Sequence, residues 1–218
     1  MREAEAQASG IGQKVLAWGK GYGTAAFENR LADRTNSFMY GIAKSVVLNK
    51  VKSAIGLEEC EMFFYGAAPM KQSTIDYFVS IDMPILNLYG MTETTSAVTH
   101  HRLRKVTMHA CGFAFPGSSI IIKDKDENGE GEVCMKSRGS MMGYFKNPEA
   151  SEATFDENGY VMSGDLGKLD KDGFLKITGR KKELIITAGG ENIAPVPIED
   201  TFKDSCYPCS NIMVIGDM

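Results

Sequence analysis

Apolar side chains change their spacing along this chain, and the changes predict where its elements lie. Residues 1 to about 60 read as mostly helical. Between Asn36 and Ile55 apolar positions recur at Phe38, Ile42, Val46, Val47, Val51 and Ile55, the stripe of an amphipathic helix facing a core. Upstream, Gly19, Gly21 and Gly23 interrupt a weaker helical pattern. No strand-like run leads into them and no Lys-Ser/Thr pair follows, so they read as a flexible bend and not as a phosphate loop.

From Glu61 the pattern becomes short apolar runs that end in special turns. Met62 to Tyr65 runs into Gly66-Ala67-Ala68-Pro69, and Ile85 to Leu88 runs into Tyr89-Gly90-Met91-Thr92-Glu93. Buried parallel strands have this texture, with a helix from Lys71 to Ser80 between them. In open α/β sheets the ligand crevice lies at the carboxyl ends of such strands, where both turns fall. Their small residues let a backbone come close to a ligand.

After about Cys111 the chain is β-rich. Ser119–Lys123 and Glu132–Lys136 flank Asp126-Glu127-Asn128-Gly129, a hairpin signature. The same four residues return at Asp156 to Gly159, and their unmatched flanks make this repeated turn chemistry and not a duplicated unit. Asn147 followed by Pro148 marks a helix start. A short strand then leads from Tyr160 towards Ser163-Gly164-Asp165, and a Lys171-Asp172-Gly173 turn separates it from the next strand. The predicted class is α/β: a helical part (1–60), a parallel α/β sheet part (61–110), a β-rich part (111–180) and a further segment (181–218).

Composition narrows the function classes. A hydrophobic share of 43% supports a real core, and a formal charge of −4 provides no basic stripe for a nucleic-acid backbone. No apolar run approaches the ~20 residues of a membrane span, and the acidic start is not that of a signal peptide, so a cytoplasmic chain is expected. The five cysteines follow no framework spacing, which suits a reducing compartment. Cys206-Tyr207-Pro208-Cys209 has a redox dithiol's spacing without its βαβ context. His100, His101 and His109 have no companion ligand at metal spacing and read as packed or solvated imidazoles.

Three places carry candidate chemistry. Tyr89 to Glu93 puts an aromatic face, a glycine, a hydroxyl and a carboxylate at a strand end, which suits a base, a close backbone approach, a phosphate and Mg²⁺; the alternative is a capped turn opening a helix. Asp165 can accept from both hydroxyls of a ribose, or it is a turn aspartate; Arg180 lies one hairpin further on and converges on it if the two strands pair. Arg180-Lys181-Lys182-Glu183 reads as a solvated charge run, or as the boundary at which a domain rotation is absorbed.

The ordered set GAAP (Gly66 to Pro69), YGMTE (Tyr89 to Glu93), GEV…GY (Gly131 to Tyr144), SGDLG (Ser163 to Gly167) and GRKKELIITAGGENIAPVPIE (Gly179 to Glu199) resembles the adenylate-forming superfamily. Within it, YGMTETT and GGENIAPVPIE are most similar to long-chain fatty acyl-CoA synthetases of the bubblegum type. The resemblance implies part of the large N-terminal domain of that fold, a parallel α/β sheet plus a β-barrel-like subdomain, over 1–180. It implies the hinge and the beginning of the small α+β lid domain over 181–218. Gly66, Ala67 and Ala68 would line the adenine side, with Tyr89 against the base and Gly90 beside it. Thr92 would contact phosphate and Glu93 the Mg²⁺. Asp165 and Arg180 would hold the ribose hydroxyls, Lys182 would be the hinge, and Gly189 and Gly190 would approach the pantetheine arm of coenzyme A.

The implied substrates are a fatty acid, ATP and coenzyme A, and the resemblance is compatible with peripheral attachment to the endoplasmic reticulum membrane. Two departures stand out. No Ser/Thr/Gly-rich phosphate loop ending in Pro-Lys lies in residues 1–65, and the family's late catalytic lysine is not reached by Met218. These lead to the expectation of a fragment or short form deficient in catalysis. Two other readings stay open, a non-catalytic nucleotide- or partner-binding module and an adenylate-former of different acid specificity.

Overall fold

The computed structural model describes residues 10–68, 70–101, 106–108, 110–186, 192–206, 209 and 211–216. It divides into two compact units, the first made of the described residues up to Leu86 with Val106, the second of Asn87–His101 and the described residues from Thr107 onward.

The first unit is built on α1 (Gly10–Leu31), an unbroken helix. The glycines expected to bend it instead let it pack closely. A Cβ on Gly19 would meet Val47 Cγ1 at 2.7 Å, and one on Gly23 would collide with the backbone carbonyl of Ser80. Gly19 and Gly23 are one helical turn apart and so share a face, whereas Gly21 points to open space. Next come α2 (Phe38–Ala43), a π-helical turn (Lys44–Leu48) and α3 (Asn49–Ala54). The Ser37 hydroxyl caps α2 by accepting from the Tyr40 N–H.

The π turn shifts the helical phase, and this overturns the predicted stripe. Ala43, Val47 and Leu48 are buried, while Phe38, Ile42, Val46 and Ile55 are exposed, Phe38 at 84%. Strand β1 (Phe63–Tyr65) pairs with β2 (Ile85–Asn87) around α4 (Gln72–Ser80), in the predicted order. The strands are less buried than expected, Phe64 being 47% exposed. Ile75, Val79, Ile81 and Met83 join Ala26 and Phe27 in the buried set.

The second unit opens with short strands: β3 (Gly90–Met91) pairs with β4 (Ser96–Ala97), and β5 (Thr99–His100) with β6 (Phe113–Ala114), both antiparallel. Its main sheet is an antiparallel meander of β7 (Ser119–Lys123), β8 (Gly131–Lys136), β9 (Val161–Leu169) and β10 (Leu175–Arg180). The helix α5 (Pro148–Thr154) lies between β8 and β9 in sequence, capped by Asn147, whose side chain accepts from Ala150 N–H. Val98, Cys111, Ile122, Val133, Met135 and Leu175 form the core beneath the sheet. Beyond β10 come a 3₁₀ turn (Lys181–Glu183), β11 (Ile185–Ile186) paired with β12 (Asn192–Ile193), and α6 (Pro195–Ser205) packed against β10.

The repeated turns behave alike, as the sequence predicts. Asp126 Oδ1 accepts from the N–H groups of Asn128 and Glu130, and Asp156 Oδ1 from those of Asn158 and Tyr160. Asp170 does the same for Asp172 and Phe174 and closes the β9–β10 hairpin.

Gly23→Ala is expected to destabilise the chain by about 1–3 kcal/mol, because the obstacle is backbone and cannot rotate away. Gly21→Ala, on the open face of the same helix, should stabilise by about 0.5–1 kcal/mol. Urea midpoints of the two variants, measured side by side, check the opposite signs.

Candidate functional site

The four-stranded sheet of the second unit is irregular where the candidate acid sits. Glu132 of β8 faces Leu166 of β9, but Cys134 faces Met162, so β9 carries two more residues than β8 across that step. The excess is taken up at Ser163-Gly164-Asp165, with Gly164 at φ +72°, a conformation that favours glycine. On the other side Ile177 faces Gly167 and Gly179 faces Leu166, so β10 carries one extra residue at Thr178. Asp165 is therefore not at the end of a short strand, as its sequence context implies. It lies inside a continuous strand at a double irregularity, the kind of feature that re-aims a side chain.

The extra residue of β10 at Thr178 brings Asp165 and Arg180 opposite each other. Arg180 Nε donates to Asp165 Oδ1 at 3.1 Å, and the Tyr89 hydroxyl donates to Asp165 Oδ2 at 2.6 Å. The Asp165 side chain is 17% exposed and that of Arg180 66%, so the pair has one face in the protein and one towards solvent. The Ser163 hydroxyl braces the bend, donating to the Val133 carbonyl at 2.6 Å and accepting from Asp165 N–H at 3.0 Å. Burial, and then the bond to Asp165, push the Tyr89 phenol well above the ordinary tyrosine range. Each carboxylate oxygen has two lone pairs, so Asp165 retains capacity for further hydroxyl donors.

The segment after Tyr89 is a tight turn. Gly90 passes so close to the Ser96 carbonyl that no Cβ fits there. Thr92–Thr94 is a 3₁₀ turn, and Thr95 adopts a left-handed φ of 58°. The buried Thr94 Oγ1 accepts from Met91 N–H at 3.2 Å and lies within hydrogen-bonding reach of the Met91 and Ser96 carbonyls. Thr92 is left exposed at the tip. Glu93 Oε1 accepts from the Tyr144 hydroxyl at 2.6 Å, and the Glu93 carbonyl accepts from Met141 N–H at 2.8 Å. The Glu93 bond, ahead of burial, raises the Tyr144 phenol.

Among the remaining candidates, Lys182 is exposed in the 3₁₀ turn that follows β10. Its neighbour Lys181, passed over in the charge run, reaches Glu132 at 2.8 Å. Gly66, Ala67 and Ala68 belong to the first unit, exposed just past β1, with Ala67 at φ 66°. Gly189 and Gly190 lie outside the described residues. Cys206 and Cys209 follow α6 instead of preceding a helix. The His101 Nε2 sits 2.9 Å from the Asn87 carbonyl, and burial lowers its imidazole; His109 is outside the described residues. Among the described residues no cluster of three or more His, Cys, Asp or Glu is placed to hold a metal. The lone carboxylate of Glu93 nevertheless suits Mg²⁺, which keeps most of its waters and is shared with substrate phosphates.

Sequence reading gave no role to Tyr144 or Glu132. Their signals were a tyrosine closing the GEV…GY motif, and one acid directly before the apolar run Val133-Cys134-Met135.

As chemistry, a carboxylate and guanidinium pair beside a turn bearing an exposed hydroxyl and a carboxylate suits a ligand rich in hydroxyls and phosphate. The chain belongs to the AMP-binding enzyme family, whose model matches residues 23–145. It is 41% identical over its whole length to the long-chain-fatty-acid–CoA ligase ACSBG2 of Gallus gallus, covering 29% of that protein. It is 37% identical to ACSBG1 of Homo sapiens, covering 100% of this chain and 30% of that one. The chain thus spans about a third of the length of the curated relatives it matches. The Bacillus subtilis O-succinylbenzoate coenzyme A synthetase, solved in complex with ATP and magnesium ion, superposes with a TM-score of 0.58 at 30% identity, over 65% of this chain and 31% of that one. No described helix is long and apolar enough to cross a membrane.

Tyr89→Phe is expected to cost about 1 kcal/mol at neutral pH through the lost hydrogen bond. The fold holds this phenol protonated, so its contribution is whole below the ordinary tyrosine pKa of about 10 and is lost as pH rises beyond it. Urea unfolding at pH 7 and pH 11 should therefore show a shallower alkaline loss in Tyr89→Phe than in the parent.

Proposed function

We propose that this chain carries the adenosine-holding part of a long-chain fatty acid–CoA ligase. The observation that carries the reading is the Asp165 carboxylate, gripped by Tyr89 and Arg180 on a doubly bulged hairpin, with the Thr92–Glu93 turn directly following Tyr89 in the chain. The names of the relatives supply the acid class.

In this reading Asp165 accepts from the ribose hydroxyls and Arg180 donates to the ribose, while the Tyr89 ring bounds the base. Gly90 permits the close backbone approach, the Thr92 hydroxyl donates to a phosphate, and Glu93, oriented by Tyr144, offers its carboxylate to Mg²⁺. Held by Glu93, Mg²⁺ would supply positive charge against the phosphates. In the activation step a fatty-acid carboxylate oxygen bonds to the α-phosphorus of ATP and the bond to pyrophosphate breaks. In the second the coenzyme A thiol, losing its proton, attacks the acyl carbon and AMP leaves. Lys182 serves as the hinge between the steps, with residues 181–218 assigned to the lid.

Calorimetry with a palmitoyl-sulfamoyl adenosine, which resists hydrolysis, tests the reading. The parent chain should bind it and Asp165→Ala should bind at least about tenfold more weakly, the scale of one charge-assisted hydrogen bond. No binding by the parent would sink the proposal. Palmitate-dependent pyrophosphate exchange then separates a catalysing chain from a module that only binds.

A further inference from the structure

Glu132 is the one charged side chain in the buried set among the described residues, 8% exposed near the start of β8. Its strand neighbours Val133, Cys134 and Met135 are fully buried and apolar. A carboxylate in such a place is costly unless every lone pair facing the protein is used, and an apolar side chain would fill the position at lower cost. The two oxygens of Glu132 go to different places. Oε1 accepts from the Gly164 N–H at 3.1 Å, and Oε2 accepts from Lys181 Nζ at 2.8 Å.

Gly164 immediately precedes Asp165, and Lys181 immediately follows Arg180. One carboxylate therefore holds the backbone on the near side of the acid and the side chain on the far side of the arginine. The register explains how it reaches both: Glu132 faces Leu166, and Leu166 faces Gly179, so Glu132 lies behind the point where the three strands slip out of step. A bulged strand with a left-handed glycine has more than one way to twist. The bond to Gly164 fixes the peptide that aims Asp165. The tether to Lys181 fixes the direction in which the chain leaves Arg180.

We propose that Glu132 is a positioning residue for the Asp165–Arg180 pair, setting through Gly164 and Lys181 the separation at which the two groups meet a ribose. The ligand part of this inference rests on the nucleotide reading of that pair; the positioning part does not. Lys181 is a positioning residue of the same device, with its charge spent on Glu132.

Three variants test it: Glu132→Gln, which keeps an acceptor for Gly164 and loses the ion pair; Lys181→Met, which loses the ion pair alone; and Glu132→Ala, which loses both bonds. In ligand-free, isotope-labelled protein the Arg180 Nε–Hε resonance reports the bond to Asp165, and the Gly164 amide reports the bulge. Both should move in Glu132→Ala with the far-ultraviolet circular dichroism unchanged, and by less in Glu132→Gln and Lys181→Met. Affinity for palmitoyl-sulfamoyl adenosine should fall roughly tenfold in Glu132→Ala, with partial rescue in Glu132→Gln. Unmoved Arg180 and Gly164 resonances in folded Glu132→Ala would overturn the inference. If that variant does not fold, unmoved resonances in both milder variants overturn it equally. A parent chain that does not bind the probe counts against the proposed function, and the ligand-free resonances then decide the positioning role by themselves.

Discussion

A carboxylate at a break in strand register organises the second unit. Asp165 sits where β9 carries more residues than β8 can match, and the excess turns its side chain out of the sheet's regular alternation. Regular pairing would give Asp165 a fixed up or down orientation set by parity alone. The bulge releases it from parity, and three neighbours then fix it again: Tyr89 from one side, Arg180 from across the hairpin, and the Ser163 hydroxyl from its own strand. The core cluster of Val98, Cys111, Val133 and Leu175, against which Tyr89 and Ile177 pack, provides the rigid floor. A pair so braced has its donors and acceptors aimed in advance, the condition under which groups lose little entropy on engaging a partner.

The first unit solves a different problem by a different device. Its long helix carries glycines at the contacts with Val47 and Ser80, so its backbone approaches the Val47 side chain and the Ser80 carbonyl at the end of α4 more closely than any side chain would permit. The following helix then changes phase through a π turn, which buries Val47 and Leu48 together and turns Phe38 and Ile42 outward. Close backbone approach and phase change are both responses to local geometry, and neither touches the residues that carry chemistry.

Turns show where local sequence is sufficient. Asp126, Asp156 and Asp170 each fold their own next four residues by accepting the same pair of backbone N–H groups. The hairpin between β7 and β8, the Asn147 cap and the β9–β10 turn were all legible for this reason: the hydrogen-bonding partners are within reach of a single short segment. The motifs that nominate the candidate site residues are equally local, each a short run read in order along the chain.

What the sequence by itself determined is therefore the local part: turns, caps, the alternation of strands, and the list of acids, hydroxyls and glycines with chemical potential. What only the tertiary structure decided is how those groups are aimed and which of them support the others. Gly19 and Gly23 read as a bend and became a packing face, because the constraint came from residues 28 to 57 positions away and not from the helix's own sequence. Glu132 and Tyr144 read as a strand residue and a motif residue, and they acquired partners at Gly164, Lys181 and Glu93 only once strands and turns were paired. Spacing along a chain encodes contacts within a few residues; a bulge's phase, and so the direction of Asp165, is set by how many residues the neighbouring strands bring to the same step.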